Sequence, residues 1–401
     1  MKFRQICTKL RDWAPTALLF VCVPALMLFF SGCSNLATRW DLPSFEPGTF
    51  VDSSGQSLSE SDLTKNLRQA DYILIGETHT NPCDHQAQAG LIRFLQDQGL
   101  SVAVGLEMIP ADMQPVLDRF NSGDTSLGEL ENALDWRRIW GHDFALYEPV
   151  LAAVEQSGYS LFGLNVKKGL LESLRGKGRS GLSQEERESM PEQVIPVPPE
   201  QKEFLLEQFA EHKTFMDDKE GQADQDRFFL VQALWDTQMA AQARKVRLQT
   251  GFPVVILCGT GHAEYGWGIP HRLSILDPEA SVLTIIAWRG AERPDDQAAD
   301  LFFFCPAQHW SRLGFTMEFN AREVEIVDVR DGSRAAQAGM KPGDVLEMVG
   351  GEPLEEIMDL HHAAMKAMRS GNPLAMTVVR DGQELNLDLD LERPKSDETS
   401  F

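Results

Sequence analysis

The segment DYILIGETHT (residues 71–80) joins an apolar run directly to a carboxylate and an imidazole. Aliphatic and aromatic residues favour a buried β-strand, so the run from Tyr72 to Ile75 needs no special explanation. Glu77 and His79 do need one, because ionisable groups avoid the protein interior unless they are paired, hydrogen-bonded or bound to a metal. The segment therefore predicts a ligand site at the end of a buried strand.

Apolar runs typical of strands recur along the chain and alternate with segments of helical period. The predicted strands are 71–76, 101–107, 159–164, 253–259, 281–288 and 301–306. Continuous apolar strands separated by helices are typical of a mostly parallel sheet that helices cover on both faces. We therefore predict an α/β domain over residues 60–306. Residues 166–250 are too long for a simple crossover, and we interpret them as a helical insertion or lid over the sheet edge.

Polar residues stand at or just beyond the ends of four of these strands. They are Glu77, His79, Glu107, Asn165 and His262. In an open parallel sheet, the ligand crevice lies outside the carboxyl ends of the strands. Each residue taken singly has an ordinary structural explanation, such as a helix cap or a loop histidine. As a set they predict one shared cleft.

Several common kinds of site are excluded. No G-x-G-x-x-G opens a helix around His262, and the chain contains neither a GxxxxGK[ST] phosphate loop nor a G-x-S-x-G nucleophile elbow. The formal net charge of −23 repels phosphate backbones, so we expect no nucleic-acid partner.

Two stretches, LIGETHTNPCDHQAQ and VVILCGTGHAEYGWGIPHRL, resemble the ChaN-like haem-binding lipoproteins of the wider Tiki/TraB and erythromycin-esterase-like group. The resemblance runs over roughly residues 60–306 and includes the stretches LDWRRIW and QALWDTQMA. It implies haem bound in the cleft between two protomers, hence a possible homodimer. It also implies iron held by a tyrosine with histidine assistance, from His79 or His262, and a role in haem or iron acquisition.

The iron-binding tyrosine that this resemblance implies can be narrowed to two candidates. Tyr72 lies within a predicted strand and Tyr159 at the wrong end of one, whereas Tyr147 and Tyr265 can reach the cleft. Tyr147 is narrowly preferred. The stretch 135–147 also supplies Trp136, Trp140 and Phe144 for porphyrin faces, Arg137 or Arg138 for propionates, and His142 as a partner. An amphipathic helix with buried tryptophans explains this stretch almost as well.

The alternative is a metal-dependent hydrolase or peptidase. In related Tiki-type proteins a G-x-x-H pattern is thought to bind a divalent metal, and GETH at residues 76–79 has that spacing. Glu77, His79, Glu107 and His262 could then hold one metal ion and activate a bound water.

From residue 308 to residue 393 the sequence resembles a PDZ domain of the bacterial type. AAQAGMKPGDVLEMVGG is the most specific part, and Leu313, Gly314 and Phe315 stand where the carboxylate-binding loop belongs. Such domains add an extended peptide to a sheet edge and hold its terminal carboxylate with backbone N–H groups. The implied partner is the C-terminal peptide of an envelope protein.

The N-terminus predicts export. Basic residues precede the apolar stretch 16–30, which is shorter than the roughly 20 residues of a membrane span. Ser31-Gly32-Cys33 resembles a bacterial lipobox, so we predict a signal peptide over 1–32 and a lipid on Cys33 that attaches the protein to the membrane. A tether over 33–59 follows, and the residue after Cys33 favours the outer membrane, facing the periplasm. A permanent membrane anchor is the alternative. The other cysteines of the exported chain, Cys83, Cys258 and Cys305, permit at most one internal disulfide.

Overall fold

The computed structural model describes residues 45–213, 222–290, 292–320, 323–354 and 356–391. The predicted signal peptide, Cys33 and the first part of the tether lie outside these ranges. No helix within the ranges combines the length and apolar content that a membrane crossing requires.

The first sheet in the described residues has the strand order β1-β7-β6-β2-β5-β3-β4. Its strands are β1 (Phe50–Val51), β2 (Tyr72–Glu77), β3 (Ala103–Pro110), β4 (Ser160–Asn165), β5 (Val254–Gly259), β6 (Val282–Trp288) and β7 (Leu301–Phe304). Neighbouring strands are parallel, except that β1 is antiparallel to β7. All residues of β2, β3 and β5 are buried, as expected for strands covered on both faces. The α/β prediction is confirmed.

Helices cover both faces of this sheet. They are α1 (Glu60–Gln69), α2 (Pro82–Asp97), α3 (Gln114–Asn121), α4 (Leu127–Leu134), α5 (Trp136–Ile139), α6 (Phe144–Ser157), α7 (Lys168–Lys177), α8 (Gln184–Glu188), α9 (Pro199–Lys213), α10 (Gln222–Thr250) and α11 (Ile269–Leu276). Short 3-10 helices occupy Ala111–Met113, Arg179–Gly181, Thr260–His262 and Glu264–Gly266. One core contains side chains of α2 and α6, and a second contains side chains of α10 and α11.

Helix α10 is part of the core of the α/β domain, and not only of the predicted insertion or lid. Met239, Ala240 and Ala243 are buried in the second core with strand residues of the sheet. The C-terminal half of α10 is therefore a crossover helix that leads into β5. A smaller core joins α7 to α10 through Leu174 and Leu234.

The C-terminal part forms a second, antiparallel sheet with the strand order β14-β13-β11-β10-β9-β8, and β12 pairs with β11. Its elements are β8 (Ala307–Ser311), β9 (Phe315–Phe319), β10 (Val324–Val329), α12 (Arg334–Gln337), β11 (Val345–Val349), β12 (Glu352–Pro353), α13 (Ile357–Ser370), β13 (Leu374–Arg380) and β14 (Gln383–Leu389). Phe315, Ile326 and Val378 lie in its own core, fully buried. Asp381 and Gly382 both have positive φ, as a tight hairpin turn requires.

A disulfide joins Cys83 in the first turn of α2 to Cys305, which follows β7. Cys258 is free and buried. This agrees with the prediction of at most one internal disulfide. The disulfide holds the segment that leaves the first sheet after β7 next to the loop that follows β2.

Candidate functional site

The carboxyl ends of β2, β5 and β3 lie side by side, because β5 stands between the other two strands. Gly259, the last residue of β5, donates its N–H to Oε2 of Glu107 at 2.6 Å. A Cβ atom at Gly259 would lie only 2.9 Å from Cε1 of His79. Glycine at this position therefore lets the side chains of His79 and Glu107 approach each other over the end of β5.

Strand β3 continues three residues beyond the predicted end at Glu107. Its pairing with β4 shifts register between Leu106 and Pro110. Such irregularities redirect side chains near functional sites. Asn165 bonds to the backbone on both sides of this region. Its Nδ2 donates to the backbone oxygen of Glu107 at 2.7 Å, and its Oδ1 accepts from the N–H of Val166. Asn165 therefore holds the backbone of the site.

Glu77 is the centre of a first group of side chains, which we call the Glu77 cluster: Glu77, His79, His85 and Tyr147. Its Oε1 accepts from the Tyr147 hydroxyl at 3.0 Å and lies 2.8 Å from Nδ1 of His79. Its Oε2 lies 2.9 Å from Nδ1 of His85. Burial alone would raise the pKa of Glu77, but His85 and His79 outweigh burial and hold this pKa well below its ordinary value.

His79 is the most accessible member of the Glu77 cluster, with 29% of its side chain exposed. Its ring lies edge-on to Trp140 at 4.9 Å between centroids, and 5.2 Å from His142. Burial alone would lower the pKa of His79. The bond to Glu77 and the charge of Glu107 raise this pKa by more than burial lowers it, so the net shift is upward. A histidine whose Nδ1 is held by a carboxylate presents an oriented, basic Nε2, which is the usual arrangement of metal-binding histidines.

His262 is the centre of a second group, which we call the His262 cluster: His262, Glu107 and Asp236. Its Nδ1 lies 2.5 Å from Asp236 and its Nε2 lies 3.4 Å from Glu107. Burial would lower the pKa of His262, but Glu107 and Asp236 outweigh it and raise this pKa to about 10. As a buried cation with both nitrogens engaged, His262 has no ring nitrogen left for iron or another metal. It connects α10 to the end of β5 instead.

Asp236 has further partners behind the site. The guanidinium of buried Arg272 lies 3.5 Å from Asp236, and Nε2 of Gln201 donates to the same carboxylate at 3.3 Å. Arg272 also donates to Oε1 of Gln201 at 2.9 Å. This network joins α9, α10 and α11, and it holds the carboxylate that faces His262.

The two predicted tyrosines occupy different environments. Tyr147 is only 2% exposed and packs 4.3 Å from the ring of His85. Burial and the neighbouring Glu77 raise the pKa of Tyr147 well above its ordinary value, so it is a neutral phenol that donates to a carboxylate. Tyr265 has a left-handed φ of 54° and stacks on Trp267 at 4.5 Å. The Tyr265 hydroxyl donates to Asp295, so its observed partners lie outside the Glu77 cluster.

Two aromatic residues expected to contact a porphyrin are part of the core instead. Trp136 is 1% exposed, and its indole N–H donates to the backbone oxygen of His142. Phe144 is 7% exposed and packs edge-on against Trp136. The expectation for these two residues was wrong because they fill the space beneath α5 and α6. Trp140 is half-buried beside His79, and Arg137 is exposed on α5.

The structure adds residues that the sequence reading missed, chiefly His85, Asp236 and Arg272. His85 lies within a helical segment whose polar residues gave no sign of burial. Asp236 did leave a signal, since it is a lone carboxylate in the apolar stretch FFLVQALWDTQMA. A charged residue at such a position is buried only with a partner.

The metal-dependent alternative gains no support from this geometry. In the described parts of the chain, no three or more histidine, cysteine, aspartate or glutamate side chains are placed to hold one metal ion together. The carboxylate of Glu77 is already surrounded by His79, His85 and Tyr147, and His262 has no free nitrogen.

The fold and the site define an α/β protein with a cluster of mostly buried polar side chains at the carboxyl ends of its strands, followed by an antiparallel sheet with its own core. The family model described as "Haem-binding uptake, Tiki superfamily, ChaN" matches residues 63–273, just over half of the chain. A PDZ domain model matches residues 311–391. The chain thus belongs to the ChaN family of the Tiki superfamily and carries a C-terminal PDZ domain, as the sequence predicted.

The chain is also similar to individual solved structures and curated proteins. The structure titled cofacial heme binding to ChaN of Campylobacter jejuni is 22% identical, with a TM-score of 0.51, and covers 63% of this chain and 95% of that chain. This likeness shows the fold.

The periplasmic serine endoprotease DegP of Escherichia coli is 33% identical over 84 residues, which are 21% of this chain and 18% of DegP. A putative zinc metalloprotease of Agrobacterium fabrum is 40% identical over 62 residues, 16% of each chain. The chain spans less than a fifth of the length of these two relatives.

Proposed function

We propose that this protein is a lipid-anchored haem-binding protein of the bacterial envelope that takes part in haem or iron acquisition. The observation that carries this proposal is His79, a half-buried imidazole oriented by the buried carboxylate of Glu77 in a chain of the ChaN family. Imidazole is a common axial ligand of haem iron. His79 would hold the iron through Nε2.

The surroundings of His79 fit a porphyrin. Trp140 and His142 provide flat aromatic rings beside it. Exposed Arg137 on the neighbouring helix α5 offers a cation for a propionate. Haem itself would be the cargo, so the protein's part is to bind, orient and shield it.

Of the two tyrosines, neither is ready to bind iron as it stands. Tyr147 would have to lose both its proton and its bond to Glu77, and burial opposes the charged phenolate. Tyr265 is more accessible, but it bonds to Asp295. We therefore assign the iron to His79.

Hemin titration of the full-length protein tests the assignment. We expect a Soret band that saturates and persists in both Tyr147→Phe and Tyr265→Phe. Loss of the band in either variant would return the ligand role to that tyrosine. Measuring the molar mass with and without hemin would show whether two copies share the cofactor; a mass unchanged by saturating hemin would contradict sharing.

The proposed location has a support that is independent of the N-terminus. The disulfide between Cys83 and Cys305 is typical of oxidising compartments such as the periplasm. Metabolic labelling with a fatty-acid analogue should mark the wild type and leave Cys33→Ser unlabelled. Equal labelling of both proteins would contradict lipid attachment at Cys33.

The PDZ domain adds a peptide partner to this proposal. A C-terminal segment of another envelope protein is the class of ligand that such modules hold. Through this partner the haem-binding domain would be placed next to the proteins that deliver or receive the cargo.

A further inference from the structure

Strand β9 is the strand to which a PDZ ligand would add, because it begins at the carboxylate-binding loop of Leu313, Gly314 and Phe315. Both edges of β9 are already paired. Strand β10 lies along one edge and β8 along the other. Five residue pairs join β8 to β9, from Ala307 opposite Phe319 to Ser311 opposite Phe315. An additional strand cannot pair with β9 while β8 is present.

Strand β8 also has the direction of a bound ligand. A peptide whose carboxylate lies in the loop before β9 must run antiparallel to β9, and β8 does so with Ser311 nearest the loop. The Leu313 N–H donates to Oγ of Ser311 at 3.2 Å, and the Gly314 N–H donates to the backbone oxygen of Ser311 at 2.9 Å. Ser311 thus engages amides that a terminal carboxylate would need.

The outer edge of β8 is bonded to the loop that carries His79. The Trp310 N–H donates to the backbone oxygen of Thr80 at 2.7 Å, and Nδ1 of His309 lies 3.0 Å from Oγ1 of Thr80. Arg312, just after β8, donates to the backbone oxygen of Gly141 at 2.6 Å. Thr80 follows His79, and Gly141 stands between Trp140 and His142.

We propose that β8 is an intramolecular occupant of the PDZ peptide edge, and that a partner's C-terminal segment binds only when β8 detaches. Detachment removes the bonds of β8 to Thr80, so binding of the peptide loosens the loop beside His79. The occupancy of the edge is independent of haem. Its effect on the cargo rests on the proposed function, and by linkage haem and peptide would then change each other's affinity by the same factor.

A pair of proline variants isolates the strand pairing. Backbone N–H groups alternate between the two edges of a strand. Since the Trp310 N–H points to Thr80, the Gln308 N–H faces the same outer side and the His309 N–H faces β9. His309→Pro therefore breaks the backbone pairing with β9, whereas Gln308→Pro keeps the backbone pairing and removes only the side-chain bond from Nε2 of Gln308 to Glu318.

The probe is a fluorescein-labelled peptide Ala-Gln-His-Trp-Ser with a free C-terminal carboxylate, and binding to the full-length protein is followed by anisotropy. We expect His309→Pro to bind at least about tenfold more tightly than the wild type, because the competent state is no longer rare. Gln308→Pro, which removes one side-chain bond and no backbone pairing, should raise the affinity by a much smaller factor than His309→Pro. The amidated peptide should bind His309→Pro more weakly than the free acid.

A second variant keeps the proposal testable if His309→Pro fails to fold. Thr80→Val keeps the shape of the side chain and removes its bond to His309, so it should raise peptide affinity by a smaller factor. Hydrogen exchange supplies the structural readout: excess peptide should speed exchange of residues 307–311 and 78–83.

Equal peptide affinity in wild type, Thr80→Val and His309→Pro would overturn the proposal, as would no binding to any of them. Binding without faster exchange in 307–311 would also overturn it. None of these assays contains hemin, so their failure leaves the haem proposal standing, and a failed hemin titration leaves them unaffected.

Discussion

The Glu77 cluster and the His262 cluster contain the same kinds of groups and differ in how their imidazoles are bonded. His79 has one ring nitrogen on a carboxylate and part of its ring exposed, whereas His262 lies buried with a carboxylate at each nitrogen. The first arrangement leaves His79 partly accessible beside Trp140 and His142, and the second forms a buried ion network. Residue type and position at a strand end therefore do not decide how accessible an imidazole is; the two histidines differ in the number of their charged partners.

The largest expected effect comes from removing the carboxylate that both His79 and His85 share. Glu77→Gln leaves the buried imidazole of His85 and the partly exposed imidazole of His79 without their anion, and losing one partner of a buried ion pair costs about 3–5 kcal/mol. Urea unfolding of the protein without hemin measures the change. Glu148→Gln, on the exposed side of α6, is the matched control and should stay within about 0.5 kcal/mol of the wild type. A Glu77→Gln variant as stable as this control would contradict the central position of Glu77.

A variant of the His262 cluster extends the comparison between the two clusters. Asp236→Asn leaves the His262 cation short of one partner and should cost about 3 kcal/mol in the same assay. Because Asp236 is not part of the Glu77 cluster, the folded variant should still bind hemin with wild-type affinity. A hemin affinity that falls together with stability would show that the two clusters are not separable.

A pH series gives a smaller effect with a defined sign. The folded protein keeps a proton on His262 up to a pKa of about 10, whereas the unfolded chain releases it near the ordinary value of 6.5. Between these values the folded state binds more protons, so unfolding free energy falls as pH rises, by at most roughly 1.4 kcal/mol per pH unit. His262→Gln should flatten this slope between pH 7 and 10. The same slope in both proteins would assign it to another group.

The strands of the α/β domain could be predicted because they are apolar throughout and helices separate them. Glu77 and His79 could be predicted because a buried strand rarely ends in two ionisable groups. His85 and Arg272 could not, because their burial depends on contacts with residues distant in sequence. Trp136 and Phe144 show the converse error: an aromatic residue near a site fits a ligand face and a core equally well until packing decides. The pairing of β8 with β9 also lay outside the sequence evidence.

A hemin titration of His79→Ala beside Asp236→Asn tests the central claim most directly. The account predicts that His79→Ala loses the Soret band, or binds hemin at least about tenfold more weakly, while Asp236→Asn matches the wild type. Full hemin affinity in His79→Ala would contradict the assignment of the ligand to the Glu77 cluster.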